Sequence, residues 1–327
     1  MSSTTTTTPY VVEDCRGVLQ FYSDGSIVRS DRPTLNVPVH DDGSVIWKDV
    51  TFDPIHGIQL RLYKPSSAIT NTKLPIIYYI HGGGFCLVYR TWPICQSYCL
   101  SLASELQAII VSIDYRLAPE NRLPDAIEDG FTAVKWLQAQ ALSDNPDTWL
   151  TDVADFDRVF IVGDSAGANI AHHLAVGLGP GSPDLAPVRV RGYVFFGVYL
   201  GGITRVRSEL EGRKDSFWNL EISDRMWRLT IPVGETRDHP LVNPFGPASP
   251  SLETVALDPI LAVSGNCDIL KDRIEDYARR LKEWGKKIEY VEFEGVDHGF
   301  HYVNPDCEAS KKLMEDIKRF ITENSIN

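Results

Sequence analysis

The stretch Val162-Gly163-Asp164-Ser165-Ala166-Gly167-Ala168 constrains this chain more than any other. It follows an apolar run at 158–161 and precedes a stretch at 169–176 that reads as a helix. A strand that turns into a helix within a few residues needs small residues beside the turn, because Cβ atoms there would strike neighbouring backbone. Gly163 and Gly167 meet that need. Ser165 then stands clear of the sheet at a helix N-terminus, whose N–H groups and partial positive charge suit an oxyanion. The pattern points to a serine nucleophile, on condition that a base, a carboxylate and an oxyanion hole lie elsewhere.

Around this turn, strand-like and helix-like stretches alternate. Residues 74–80 and 108–114 are continuous apolar runs suited to buried central strands, whereas 45–52 and 58–63 alternate like half-buried antiparallel strands. Further strands are expected at 191–196, 259–264 and 288–293, and helices at 93–105, 124–140, 269–284 and 307–323. Such alternation predicts an α/β protein with a central, mostly parallel, twisted sheet flanked by helices. A chain of 327 residues with 43% hydrophobic content can bury one sheet of that kind. Residues 200–250 break the rhythm with Gly201-Gly202, a charged run, Trp218, Trp227 and several prolines. With a helix expected at 222–230, they read as a cap over the C-terminal edge of the sheet, since structureless loops of this length are uncommon. Residues 1–12 read as a disordered Ser/Thr-rich tail, and 13–327 as a single domain capped by about 13–45 and 200–250. A helix is expected to begin near Tyr10, a short strand at 18–22, and the N-terminal segment is expected to close over the pocket.

Charge and composition narrow the function classes. A net charge of -12 argues against nucleic acid and anionic membranes as partners and leaves a small-molecule substrate. No apolar run approaches the ~20 residues needed to span a bilayer. The N-terminus lacks the basic and apolar regions of a secretory signal, so a cytoplasmic, or also nuclear, location is expected. The six cysteines, 15, 86, 95, 99, 267 and 307, show no metal-ligand spacing; Cys95 and Cys99, one helical turn apart, read as buried thiols. No metal or cofactor is expected.

Of eight histidines, His298 stands out. It sits in the glycine-framed loop Gly295-Val296-Asp297-His298-Gly299-Phe300 after the final expected strand, at the same sheet edge as Ser165. His301 is the rival but falls towards the next helix, and His172 and His173 belong to the helix behind the nucleophile. The carboxylate is expected from Asp268, directly after the strand at 259–264, with Asp272 one turn on in the first turns of a helix. For the oxyanion, the expected strand 74–80 runs into His81-Gly82-Gly83-Gly84-Phe85. Glycines let the backbone turn its N–H groups inward, so Gly83, Gly84 and Ala166 are the expected donors, with His81 bracing the loop. The loop lacks the Gly-Lys-Ser/Thr ending of a phosphate cradle.

Three motifs together, His81-Gly82-Gly83-Gly84-Phe85, Asp114-Tyr115-Arg116-Leu117-Ala118-Pro119-Glu120 and Gly163-Asp164-Ser165-Ala166-Gly167, resemble the hormone-sensitive-lipase branch of the α/β-hydrolases. The similarity extends from about Val11 to the C-terminus and is greatest to plant carboxylesterases, particularly the carboxylesterase 15 type associated with cleaving strigolactones. The order Ser165, Asp268, His298 is the one α/β-hydrolases use. The resemblance implies an ester hydrolase acting on a small apolar ester or lactone. It also leaves two other classes open, a hormone-binding receptor and a non-hydrolytic lyase or cyclase. Receptors of this family lack the histidine that His298 provides, and the lyases depart from motifs that this chain keeps. Ala168, where many relatives carry glycine, is a mild departure that bears on packing at the turn. The pocket is expected to be lined by Phe85, Cys86, Leu87 and Tyr89 beside the glycine loop and by Tyr199, Leu200, Trp218 and Trp227 from the cap.

Overall fold

The computed structural model describes residues 8–30, 37–68 and 73–325; the threonine-rich stretch at 1–7 lies outside the described residues. Along the chain run β1 (Val11–Cys15), β2 (Leu19–Tyr22), β3 (Ile27–Arg29), β4 (Val45–Asp53), β5 (Ile58–Pro65), β6 (Leu74–Ile80), α1 (Pro93–Leu106), β7 (Ile109–Ile113), α2 (Asp125–Leu142) and α3 (Thr148–Thr151). There follow β8 (Ala154–Asp164), α4 (Ala166–Leu178), β9 (Val190–Phe196), α5 (Arg207–Glu211), α6 (Leu220–Thr230), β10 (Ile260–Gly265), α7 (Lys271–Glu283), β11 (Ile288–Phe293), α8 (Phe300–Val303) and α9 (Glu308–Asn324).

Eight strands form one sheet in the order β11-β10-β9-β8-β6-β7-β5-β4. The pairs from β7 through β6, β8, β9 and β10 to β11 are parallel, and β5 runs antiparallel to both β7 and β4. This split follows from the sequence pattern. Every residue of β6, β7 and β9 is buried, as continuous apolar runs covered on both faces must be, whereas β4 alternates because one of its faces meets water. Ile77, Phe160 and Leu261 are fully enclosed, each contributing about 1.5–3 kcal/mol by leaving water. Helix starts carry local signals. Pro93 opens α1, where its missing N–H costs nothing, and the Asn219 side chain caps α6 by accepting the Ile222 N–H at 3.1 Å.

The N-terminus departs from expectation. Instead of a helix near Tyr10, β1 begins at Val11 and pairs antiparallel with β2, which pairs with β3 in a separate three-stranded sheet. The β-branched pair Val11-Val12 favours extended backbone, and the strand starts inside the stretch read as tail. This small sheet rests on α6. Glu13 pairs with Arg228 at 2.5 Å and Arg225 at 3.5 Å, and Cys15 Sγ lies 3.9 Å from Met226 Sδ. Cys95 and Cys99 are buried thiols on α1. Among the described residues no helix is long and apolar enough to cross a membrane, and no group of three or more His, Cys, Asp or Glu is arranged to hold a metal.

Candidate active site

β8, in the middle of the sheet, ends at Asp164, and α4 starts at Ala166, so the reversal falls on Ser165 alone. Its backbone is forced to φ 51°, ψ −113°, a conformation that side chains rarely adopt and that must be held by its surroundings. Backbone hydrogen bonds hold it: Ser165 N–H donates to Phe196 O at 2.7 Å, and Ser165 O accepts from the N–H groups of Tyr199, Ala168 and Asn169 at 3.1, 3.1 and 3.2 Å. The neighbouring glycines are obligatory. A Cβ on Gly163 would lie 2.4 Å from Gly167 O, and one on Gly167 would lie 2.1 Å from Ile80 O.

Three strand ends bring the candidate reacting groups together. His298 follows β11 and places Nε2 3.1 Å from Ser165 Oγ. Its Nδ1 lies 2.7 Å from Oδ2 of Asp268, which follows β10. The other Asp268 oxygen accepts the Leu270 N–H at 2.9 Å, so the carboxylate is fixed at both ends. Burial alone would lower the His298 imidazole, but the Asp268 charge and hydrogen bond, with a smaller push from Asp164, hold it above its ordinary value. Trp218 stacks on the imidazole with ring centres 5.3 Å apart. Asp164 is buried under the elbow, and desolvation raises its carboxyl to about 6 against the pull of His298.

The rival residues are occupied elsewhere. Asp272 accepts the Ser208 N–H at 2.8 Å. His301 is buried beside Phe196 and Tyr98, and burial drives its imidazole down to about 3. His172 contacts Tyr277 Oη at 2.9 Å and His173 contacts Leu241 O at 2.9 Å.

The loop after β6 supplies backbone donors. Gly83 adopts φ 104° and Gly84 φ 60°. A Cβ on Gly83 would lie 2.2 Å from Leu87 O. Gly83 O accepts from Cys86 and Leu87 N–H at 3.0 and 2.9 Å, which curls the loop. Among the described residues the N–H groups of Gly83, Gly84 and Ala166 have no acceptor. His81 is fully buried, stacks on Tyr115 with centres 4.4 Å apart and contacts Gly82 O at 2.8 Å. Tyr115 Oη donates to the carbonyls of both His81 and Gly82, bracing the loop from beneath.

Ser165, His298 and Gly83 open onto a narrow pocket with about 90 Å³ of water-accessible space. Of the eight lining residues expected, Leu87 and Trp218 face it. Phe85, Cys86, Tyr199, Leu200 and Trp227 are instead buried behind the wall, and Tyr89 is 39% exposed in a different cleft. The reason is aromatic packing: Tyr199 and Trp227 stack with centres 3.7 Å apart, and Phe85 leans on both. The remaining wall includes Cys15 and Val18 from the N-terminal sheet and Ile222 and Met226 from α6. The i, i+4 spacing of Ile222 and Met226 is a helical-face signal that could have identified them. Nothing local marks Cys15 or Val18.

Residues 77–302 match the model of a family described by the alpha/beta hydrolase fold. A 3-O-acetylpapaveroxine carboxylesterase of Papaver somniferum is 36% identical, covering 84% of this chain and 89% of its own. A 2-hydroxyisoflavanone dehydratase of Glycyrrhiza echinata is 34% identical, covering 98% of this chain and 99% of its own. Among solved structures, a thermostable carboxylesterase cloned from a metagenomic library is similar at TM-score 0.72 and 26% identity, covering 90% of this chain and 92% of that one.

Proposed function

This chain belongs to the α/β-hydrolase family, and on that premise we propose that it hydrolyses carboxylic esters by acyl transfer through Ser165. The observation that carries the reading is the linked geometry: Ser165 Oγ to His298 Nε2 at 3.1 Å, and His298 Nδ1 to Asp268 at 2.7 Å. His298 removes the Ser165 proton as Oγ attacks the ester carbonyl, and Asp268 fixes the tautomer and balances the imidazolium. The N–H groups of Gly83, Gly84 and Ala166 receive the oxyanion, an arrangement whose single donors are typically worth ~10²–10³ in rate. His298 then protonates the leaving alkoxide, and water releases the acyl group from Ser165.

The pocket wall of Leu87, Trp218, Ile222 and Met226 supports a small apolar ester or lactone. Within that class, the enol-ether-linked lactones of the strigolactone type are the first substrates to assay, because the sequence resembles carboxylesterase 15. The similarity to a dehydratase favours one rival, proton abstraction by His298 without an acyl-enzyme. An organophosphonate separates the two. Intact mass spectrometry should show one adduct on Ser165, with simultaneous loss of p-nitrophenyl ester and lactone turnover. Full lactone turnover by S165A would overturn the acyl-transfer reading.

A further inference from the structure

On the face of α6 turned away from the Ser165 pocket lies a second cleft, with about 460 Å³ of water-accessible space. The helix divides the two: Ile222 and Met226 face the first, while Asp224, Trp227 and Arg228 face the second. Four guanidiniums line this cleft, those of Arg122, Arg205, Arg228 and Arg237, against the carboxylates of Asp224 and Glu235. That concentration of positive charge stands in a chain of net charge -12.

Among the described residues, carboxylates pair with Arg205, Arg228 and Arg237 but not with Arg122. Asp224 is shared, reaching Arg205 at 2.5 Å and Arg237 at 3.0 Å, and Arg228 draws on Glu13 at 2.5 Å. Arg205 Nη1 is buried 3.7 Å from Glu209, a carboxylate that also pairs with Arg273 at 2.7 Å, and has no closer partner among the described residues. Arg122 spends Nη1 on the carbonyls of Arg228 and Ile231, at 2.8 and 2.6 Å, at the C-terminal end of α6. Those bonds suit a cation at a helix C-terminus, but they leave its other donors open and its charge without a carboxylate among the described residues. Burial and the adjacent Arg205 pull the Arg237 guanidinium below its ordinary value, whereas their carboxylate partners hold Arg205 and Arg228 above theirs. Beside the guanidiniums lie two exposed apolar groups, Ile203 at 55% and Val233 at 86%, with the half-buried Pro232.

We propose that this cleft is a second binding site, for an organic anion whose carboxylate head sits among the guanidiniums and whose apolar body covers Ile203 and Val233. Planar guanidiniums pair with carboxylates through two parallel N–H bonds, and a head held this way relieves the repulsion among its hosts. The site stands apart from the ester chemistry and does not depend on it.

Octanoate is the probe. In calorimetric titrations of the intact protein it should bind, lose affinity about tenfold or more in both R122Q and R237Q, and weaken as salt is raised. Octylamine, with the same body and opposite charge, should not bind, and inorganic phosphate should bind about tenfold more weakly than octanoate. Melting temperature and p-nitrophenyl ester turnover report the integrity of each variant; if one fails to fold, the other carries the comparison. Absence of octanoate binding, affinity unchanged in the substituted proteins (as occupancy of the Ser165 pocket would give), or equal binding of octylamine or phosphate would overturn the proposal.

Discussion

Replacing Asp268 with asparagine probes the arrangement most sharply, because that carboxylate is only 2% exposed and touches His298 at 2.7 Å. Two consequences follow. Two opposite charges about 4 Å apart at an effective dielectric of about 20 attract by about 4 kcal/mol. Without that charge, burial acts on His298 nearly unopposed, so its imidazole should fall from above its ordinary value to below it. As a base, His298 must be neutral, so the acid limb of kcat/KM should lie above pH 6.5 in the wild type and move to lower pH in D268N. The amide also presents an N–H where the carboxylate accepted one, favouring the wrong tautomer, and in a comparable triad this costs ~10⁴ in kcat. A loss of that size is about 5.5 kcal/mol of transition-state stabilisation. The assay is the pH profile of p-nitrophenyl ester hydrolysis, with D272N as control, since Asp272 holds Ser208 and not His298. A loss in D268N below about tenfold, an unmoved acid limb, or an equal loss in D272N would refute the assignment.

Asp164 adds a smaller push in the same direction on His298, so D164N should also lower the acid limb in the same pH profile, by less than D268N does. Its own carboxyl, raised to about 6, binds its proton more tightly in the folded state. It therefore stabilises the fold below about pH 4, and that contribution is lost as pH rises through about 6, a span worth about 3 kcal/mol; chemical denaturation should show D164N gaining on the wild type across this range. Gly83→Ala should lower kcat by ~10²–10³ in steady-state ester assays, because its Cβ would meet Leu87 O at 2.2 Å and displace the loop donors. Met226→Ala should cost about 2–5 kcal/mol in denaturant titrations, while raising kcat/KM for bulky acyl esters relative to acetate.

The sheet was readable because its central strands are nearly unbroken apolar runs and its antiparallel edge alternates; β6 and β11 start and stop where expected. The candidate reacting residues were readable for a related reason. Each sits at the C-terminal end of a strand beside glycines or just before a helix, and such positions converge in a parallel sheet. Ser165, Asp268 and His298 follow three different strands, β8, β10 and β11, yet meet within hydrogen-bond reach. The pocket wall was not readable by the same means. Phe85, Tyr199 and Trp227 look like lining residues, but their mutual packing, which composition does not reveal, draws them into the core. Cys15 and Val18 reach the pocket through the pairing of β1 with β2 and the docking of β1 on α6, contacts that leave no local trace.

That docking has a consequence for how the protein is made. Arg16 donates to Ser216 O at 2.8 Å and Glu13 pairs with Arg228 at 2.5 Å, joining segments about two hundred positions apart. A ribosome adding about 5–20 residues per second delivers the second segment on the order of 10–40 s after the first. Throughout that interval Cys15, Val18 and Leu19, buried in the finished protein, have no partner on α6. The entrance to the reacting serine is thus among the last parts of the molecule to be assembled. Joined to α6 by few contacts and lying outside the main sheet, it should also be among the first to loosen, with β1 and β2 exchanging their amide hydrogens well before β6 and β8 do.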